Sequence, residues 1–155
     1  MTISEMAAQY KASTDKFLAA IQDLDVAVLD KAIPGEWSAR QVIHHLADSE
    51  AQSYARLRRL LAEPEGSLIQ GYDEGAWADS SLLGYQDSPV ELPLAVFIAV
   101  RAASHMLLSR ISEADLERAG IHSESGRYTV SDWVRNYTNH PEDHLDQLLI
   151  AIQQP

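Results

Sequence analysis

The segment Asn139-His140-Pro141-Glu142-Asp143-His144 sets two imidazoles four residues apart with a proline between them. On a helix, an i, i+4 pair falls about 40° apart on one face, and one cation can bridge it, as in helical zinc sites. Proline inside a helix removes a backbone donor and costs about 3 kcal/mol, so a helix through this segment is kinked at Pro141. The carbonyl of Tyr137, four residues earlier, loses its usual partner and becomes free to orient a ligand or bind water. The stretch Ile43-His44-His45-Leu46-Ala47-Asp48 offers two more imidazoles. Only His45 falls on the flank of an apolar stripe, beside Leu46 and Ser49; His44 falls nearly opposite.

A single inward histidine is ordinarily a hydrogen-bonded core residue. Two on one helix and a third on a neighbour leave several ring nitrogens to satisfy in the interior. Three neutral imidazoles with no competing thiolate suit Zn²⁺, Ni²⁺ or Fe²⁺ and leave a coordination position open. His45, His140 and His144 are therefore the expected metal ligands, and an open position points to catalysis.

Other residues carry weaker signals. Arg101 and His105, again i, i+4, fall near the middle of an apolar stripe. They read either as a snorkelling arginine with a satisfied core histidine or dimer contact, or as an anion hook with His105 near the metal, even as a fourth ligand. Tyr72 and Trp77 are expected to wall a pocket. Asp48 and Glu50 flank the ligand helix, as acceptors behind the imidazoles or as solvated or dimer-facing charges. Trp37 and Trp133 read as core, His122 as loop, and the basic run Arg56-Leu57-Arg58-Arg59 as a solvated face.

Four long helices must position these groups. Ile3, Met6, Tyr10, Phe17, Ile21 and Leu24 mark the apolar face of the first, opened by a capping box of Thr2 and Glu5. Ser38 and Gln41 open the second, which runs to about Ala62. The third begins at Ser88-Pro89-Val90-Glu91, or later because of Pro93, and a short amphipathic piece at Ser112–Arg118 follows. The fourth starts near Thr129 with Asp132, and its stripe of Val130, Trp133, Val134, Tyr137, Leu145, Leu148 and Ile152 keeps phase through Pro141. The connection from Glu63 to Pro89 is too long for a bundle turn. The fold class is thus all-α, a four-helix bundle with a long crossover loop between helices two and three, in a single domain over 1–155.

Composition narrows the partners. A chain that is 46% hydrophobic and carries a formal net charge of -11 can bury a core and repels phosphate backbones and anionic membranes. The absence of cysteine excludes disulfides and a cysteine nucleophile. The amino terminus is too charged for a signal peptide, and no apolar run approaches the ~20 residues of a membrane span. A cytoplasmic protein with a small-molecule substrate, no nucleic acid and no membrane is expected.

Three signatures carry a resemblance. Trp37 to Ser49 (WSARQVIHHLADS), Tyr72 to Asp79 (YDEGAWAD) and Ile121 to Leu148 (IHSESGRYTVSDWVRNYTNHPEDHLDQL) resemble, in this order, the DinB/YfiT superfamily of metal-binding four-helix bundles, most nearly its YfiT branch. The resemblance implies a divalent metal held by His45, His140 and His144, a homodimer, and chemistry ranging from bacillithiol-, mycothiol- or glutathione-dependent thiol transfer to metal-dependent hydrolysis. Thiol S-transfer is the first expectation; the absence of cysteine fits a sulfur nucleophile that arrives as a cofactor, and fits water equally well. Hydrolysis and non-catalytic metal binding are the alternatives. Gly71 stands where relatives usually have proline, and the further histidine cluster that close relatives carry is absent between His140 and His144.

Overall fold

The computed structural model describes residues 1–155. Its four long helices are α1 (Ile3–Ile21), α2 (Ala39–Ala62), α4 (Glu91–Leu108) and α5 (Val130–Ile152), with a short α3 (Glu74–Asp79) inside the crossover. α1, α2 and α5 begin at the expected capping boxes, Thr2 with Glu5, Ser38 with Gln41 and Thr129 with Asp132, in which side chain and backbone satisfy each other reciprocally. Such caps contribute about 1 kcal/mol each.

α4 starts at Glu91 rather than Ser88, without a side-chain cap. The Ser88 carbonyl is already taken: it accepts from Arg40 Nη1 at 2.9 Å and faces His44 Nε2 at 3.2 Å, which ties this strand of chain to α2. The piece after α4 is a 3₁₀ turn, Glu113–Glu117.

α1 packs against α5 and α4, and α2 against α4 and α5. The consecutive helices α1 and α2 therefore lie across the bundle from each other, and the two helices with the expected ligands are neighbours. A small sheet was not legible in the periodicity. Its strands are β1 (Leu68–Ile69), β2 (Ala119–His122) and β3 (Gly126–Thr129), with β1 parallel and β3 antiparallel to β2. It staples the start of the crossover to the hairpin that precedes α5. Gly71 belongs to this staple: its N–H donates to Ser123 Oγ at 2.9 Å, a bond proline cannot make, and a Cβ there would meet the Glu124 side chain at 2.7 Å.

The core falls into two apolar halves. One, at the sheet end, centres on Tyr10, Leu57, Trp133 and Tyr137; the other on Phe17, Val42, Leu46, Phe97 and Leu148. Between them lies a buried polar layer. Arg101 and Glu50, both wholly buried, form an ion pair at 2.7 Å. Arg101 Nη1 also donates to the Tyr137 carbonyl (2.8 Å), Nη2 to the Tyr10 carbonyl (2.9 Å) and Ser13 Oγ (3.0 Å), and Nε to Thr14 Oγ1. Glu50 Oε2 accepts from Ser53 Oγ at 2.8 Å.

This overturns the anion-hook expectation, since the guanidinium has its partners inside the bundle. It also resolves the kink: the Tyr137 carbonyl that Pro141 leaves without its helical partner accepts from Arg101 instead of from a ligand or water. Glu50 serves this pair and is neither solvated nor behind an imidazole. α4, at 18 residues and mean hydropathy 1.5, is long and apolar enough to cross a membrane by length and composition, which the unbroken-run criterion missed. Its Arg101 lies in the polar layer of the bundle.

Candidate metal centre

His45 and His140 meet across the α2–α5 contact with their Nε2 atoms 3.3 Å apart. One ring nitrogen from each of His45, His140 and His144 lies within 4.8 Å of the other two. Nitrogens that share one tetrahedral zinc at 2.0–2.1 Å are separated by about 3.3 Å, so the first pair already has that spacing. His144 Nδ1 lies 2.9 Å from Gln147 Oε1. A carbonyl oxygen only accepts, so Nδ1 carries the proton and Nε2 presents the lone pair.

Burial keeps two of these rings, His45 and His140, neutral. It pulls the His45 pKa down to about 3, with His144 adding to the effect. It also lowers His140 well below the ordinary histidine value, helped by His144, His45 and the Arg101 guanidinium. At neutral pH both therefore offer lone pairs. The Nε2 contact is the only one that His45 and His140 make through their ring nitrogens: the Nδ1 atoms of both are buried without hydrogen-bond partners. Three imidazoles converging from two adjacent helices fit a divalent cation.

Trp37 packs against the second core half as expected and also lies over the cluster, 4.8 Å from the His45 ring and 6.3 Å from the His144 ring between centroids. His105 is not part of the group. His44 points away as expected, but it is buried under the crossover, stacked on Tyr85. Asp48 accepts from Tyr85 Oη at 2.7 Å and supports no imidazole.

A cavity of about 320 Å³ opens beside His140. Ser49 and Arg56 from α2, Tyr72 and Glu74 from the crossover, His122, Glu124 and Ser125 from the β2–β3 hairpin, Tyr128 from β3, and Asn136 and Tyr137 from α5 line it. Tyr72 is the expected wall, and Trp77 stacks behind it at 4.6 Å between ring centroids.

Arg56 and His122 were set aside in the sequence and line the cavity here. The signal for Arg56 was present: it follows His45 by eleven positions, three turns along the same helix face. His122 is brought in by the sheet, which no helical periodicity reveals.

The sequence pattern of the DinB superfamily matches residues 9–148. The chain belongs to the DinB superfamily. A DinB-type relative from Oceanobacillus iheyensis named "Putative metal-dependent hydrolase" is 38% identical over 124 residues, covering 79% of this chain and 70% of that protein. YfiT from Bacillus subtilis, described as "a probable metal-dependent hydrolase with an unusual four-helix bundle topology", superposes with a TM-score of 0.86 at 24% identity, over 97% of this chain and 86% of that one. TT2238, "a four-helix bundle protein", superposes with a TM-score of 0.65 at 23% identity, over 96% of this chain and 99% of that one. Both show the four-helix-bundle fold.

Proposed function

We propose that this DinB protein is a metal-dependent enzyme in which His45, His140 and His144 hold a zinc, nickel or iron ion and the adjoining cavity holds a small-molecule substrate. The convergence of three imidazoles, one of which, His140, lines a polar cavity, supports this most directly. A cation bound there supplies Lewis acidity that lowers the pKa of a coordinated thiol or water.

Thiol S-transfer is the preferred reaction. Of the carboxylates that follow His45 on α2, Asp48 is engaged by Tyr85 and Glu50 by Arg101. A thiol, with an ordinary pKa near 8.5, needs less help to lose its proton than water does. The sulfur–carbon bond forms as the bond to the leaving group breaks; the leaving group takes that electron pair and the thiol proton passes to solvent. Tyr72 and Tyr137 orient the electrophile by donating hydrogen bonds, since burial raises both phenols, Tyr137 to about 12. The cytoplasm, where small thiols are kept reduced, is the proposed compartment.

Hydrolysis is the second reading, favoured by the relatives' names and by Glu74, a cavity carboxylate able to take a proton from water. The two separate in one assay of zinc- or nickel-loaded protein. Turnover of a haloaromatic or an epoxide should require bacillithiol, mycothiol or glutathione, vanish in His45→Ala and survive in Glu74→Gln. Thiol-independent ester or amide hydrolysis, lost by about 100-fold or more in Glu74→Gln, would reverse the ranking.

A homodimer through α4 completes the proposal. Leu92 (79% exposed), Val96, Ile98 and Met106 (53%) turn outward with Ala95, Ala99 and Ala102, and Leu82 and Leu83 extend the patch. On a chain of net charge -11 this face carries a single charge, Glu91 at its amino-terminal end, so a second copy meets little like-charge repulsion, and the alanines allow close helix contact. Light scattering should give a dimer for the wild type and a folded monomer for Val96→Glu with Ala99→Glu. A dimer that survives this double substitution lies elsewhere.

A further inference from the structure

We propose that Arg56 anchors a carboxylate group of the substrate, and so sets the substrate class as small molecules carrying one carboxylate. This rests on the cavity being the reaction chamber. Arg40, Arg59, Arg101, Arg127 and Arg135 each pair with a carboxylate. Arg56, half-buried in a chain with 23 acidic and 12 basic residues, has instead a phenol and a carbonyl: Nη1 donates to Tyr137 Oη and Nη2 to Gln70 O, each at 2.9 Å. Its Nε–H is buried without an acceptor, and so is the hydroxyl of Tyr72 across the same cavity.

Arg56 Nε and Tyr72 Oη thus lack acceptors of their own, even though the Glu74 and Glu124 carboxylates line the same cavity. Arg56 retains unpaired N–H groups, and Tyr137 Oη accepts from Arg56 while keeping its own proton to donate. A guanidinium held in place by two bonds and flanked by two phenols is matched by a planar acceptor pair, which is what a carboxylate presents. The opposite charges select further. Glu74 and Glu124 also line the cavity, so a phosphate dianion or a dicarboxylate meets repulsion that a monocarboxylate largely escapes. Because His140 lines the same space, one molecule can rest its carboxylate on Arg56 and its reacting end at the histidine cluster.

The test uses the full-length, zinc-loaded protein and matched probes: hexanoate against hexanamide, and 3-mercaptopropionate and 6-mercaptohexanoate against their amides. Binding is followed by calorimetry and by the ¹H–¹⁵N signal of Arg56 Nε. Each acid should bind about tenfold or more tighter than its amide and shift the Nε signal. The preference should fall to about one in Arg56→Gln and be partly restored in Arg56→Lys, with thermal melts confirming that both variants are folded.

Equal affinity for acid and amide in the wild type would overturn the assignment, as would an acid preference unchanged in Arg56→Gln, which would place the carboxylate on the metal. The metal-centred reading is scored separately, by whether the two mercaptoamides lose their binding in His140→Ala. Hexanoate tests Arg56 whatever that result is.

Discussion

Replacing Arg101 with methionine is expected to cost about 3–5 kcal/mol of folding stability, the largest loss expected from any single polar side chain in the bundle. The substitution roughly preserves volume, so the loss measures the charge and its hydrogen bonds. It strands the Glu50 carboxylate, wholly buried with only Ser53 beside it. It also leaves the carbonyls of Tyr10 and Tyr137 without the donors they share with this guanidinium. Pro141 makes the second carbonyl the more serious, because no helical N–H is there to replace Arg101.

Urea unfolding checks the figure. Because the stranded charge accounts for much of it, Arg101→Met with Glu50→Gln should recover part of the loss and reveal a coupling of more than about 1 kcal/mol in the double-mutant cycle. A loss below about 1 kcal/mol for Arg101→Met would mean that the guanidinium is free to serve a ligand, as its place on the helical wheel suggested.

That contrast shows what was legible beforehand. Helix starts are largely local: a capping box is decided within four residues, and those at Thr2, Ser38 and Thr129 are formed, whereas the start expected at Ser88 is not. The phase of the stripe through Pro141 is local too, and it put His140 and His144 on the face that meets His45. Arg101 was located correctly, on the inward face of α4, but its role depends on what α1, α2 and α5 bring to the same layer. Ser13, Thr14, Glu50 and the Tyr137 carbonyl come from distant segments, and no periodicity on α4 encodes them.

The cavity was hidden for a similar reason. Its hairpin wall with His122 and Glu124 exists because β1 pairs with β2 across a long stretch of sequence, and two- to four-residue strands leave too few alternations to detect. Trp37 packs against the core as expected, but a residue just before a helix has no face to read, and only the fold sets its ring over His45 and His144.

The metal centre itself makes the sharpest demand. His45→Ala, His140→Ala and His144→Ala should each lower bound metal, measured by elemental analysis of protein purified without a histidine tag, to about a tenth of the wild-type level or less, because two imidazoles close no chelate with the strength of three. His44→Ala should keep the full complement, since its ring serves the Ser88 carbonyl and Tyr85 on the other side of α2. Gln147→Leu is the more discriminating variant. It leaves all three imidazoles but removes the acceptor that fixes the His144 tautomer, so it should reach full stoichiometry with an affinity about 10- to 100-fold weaker.

The same ion should stabilise the fold, because it ties α2 to α5 and a preformed three-histidine cluster is absent from the unfolded chain. At a hundredfold over its dissociation constant it contributes about 2.7 kcal/mol, about 5–10 °C in melting temperature for a chain of this length. A chelator should remove that increment from the wild type and leave His140→Ala with His144→Ala unmoved. Full metal content in any two of the three alanine variants, or an equal chelator effect on the wild type and the double variant, would place the metal away from these histidines and detach the reaction from the cavity beside His140.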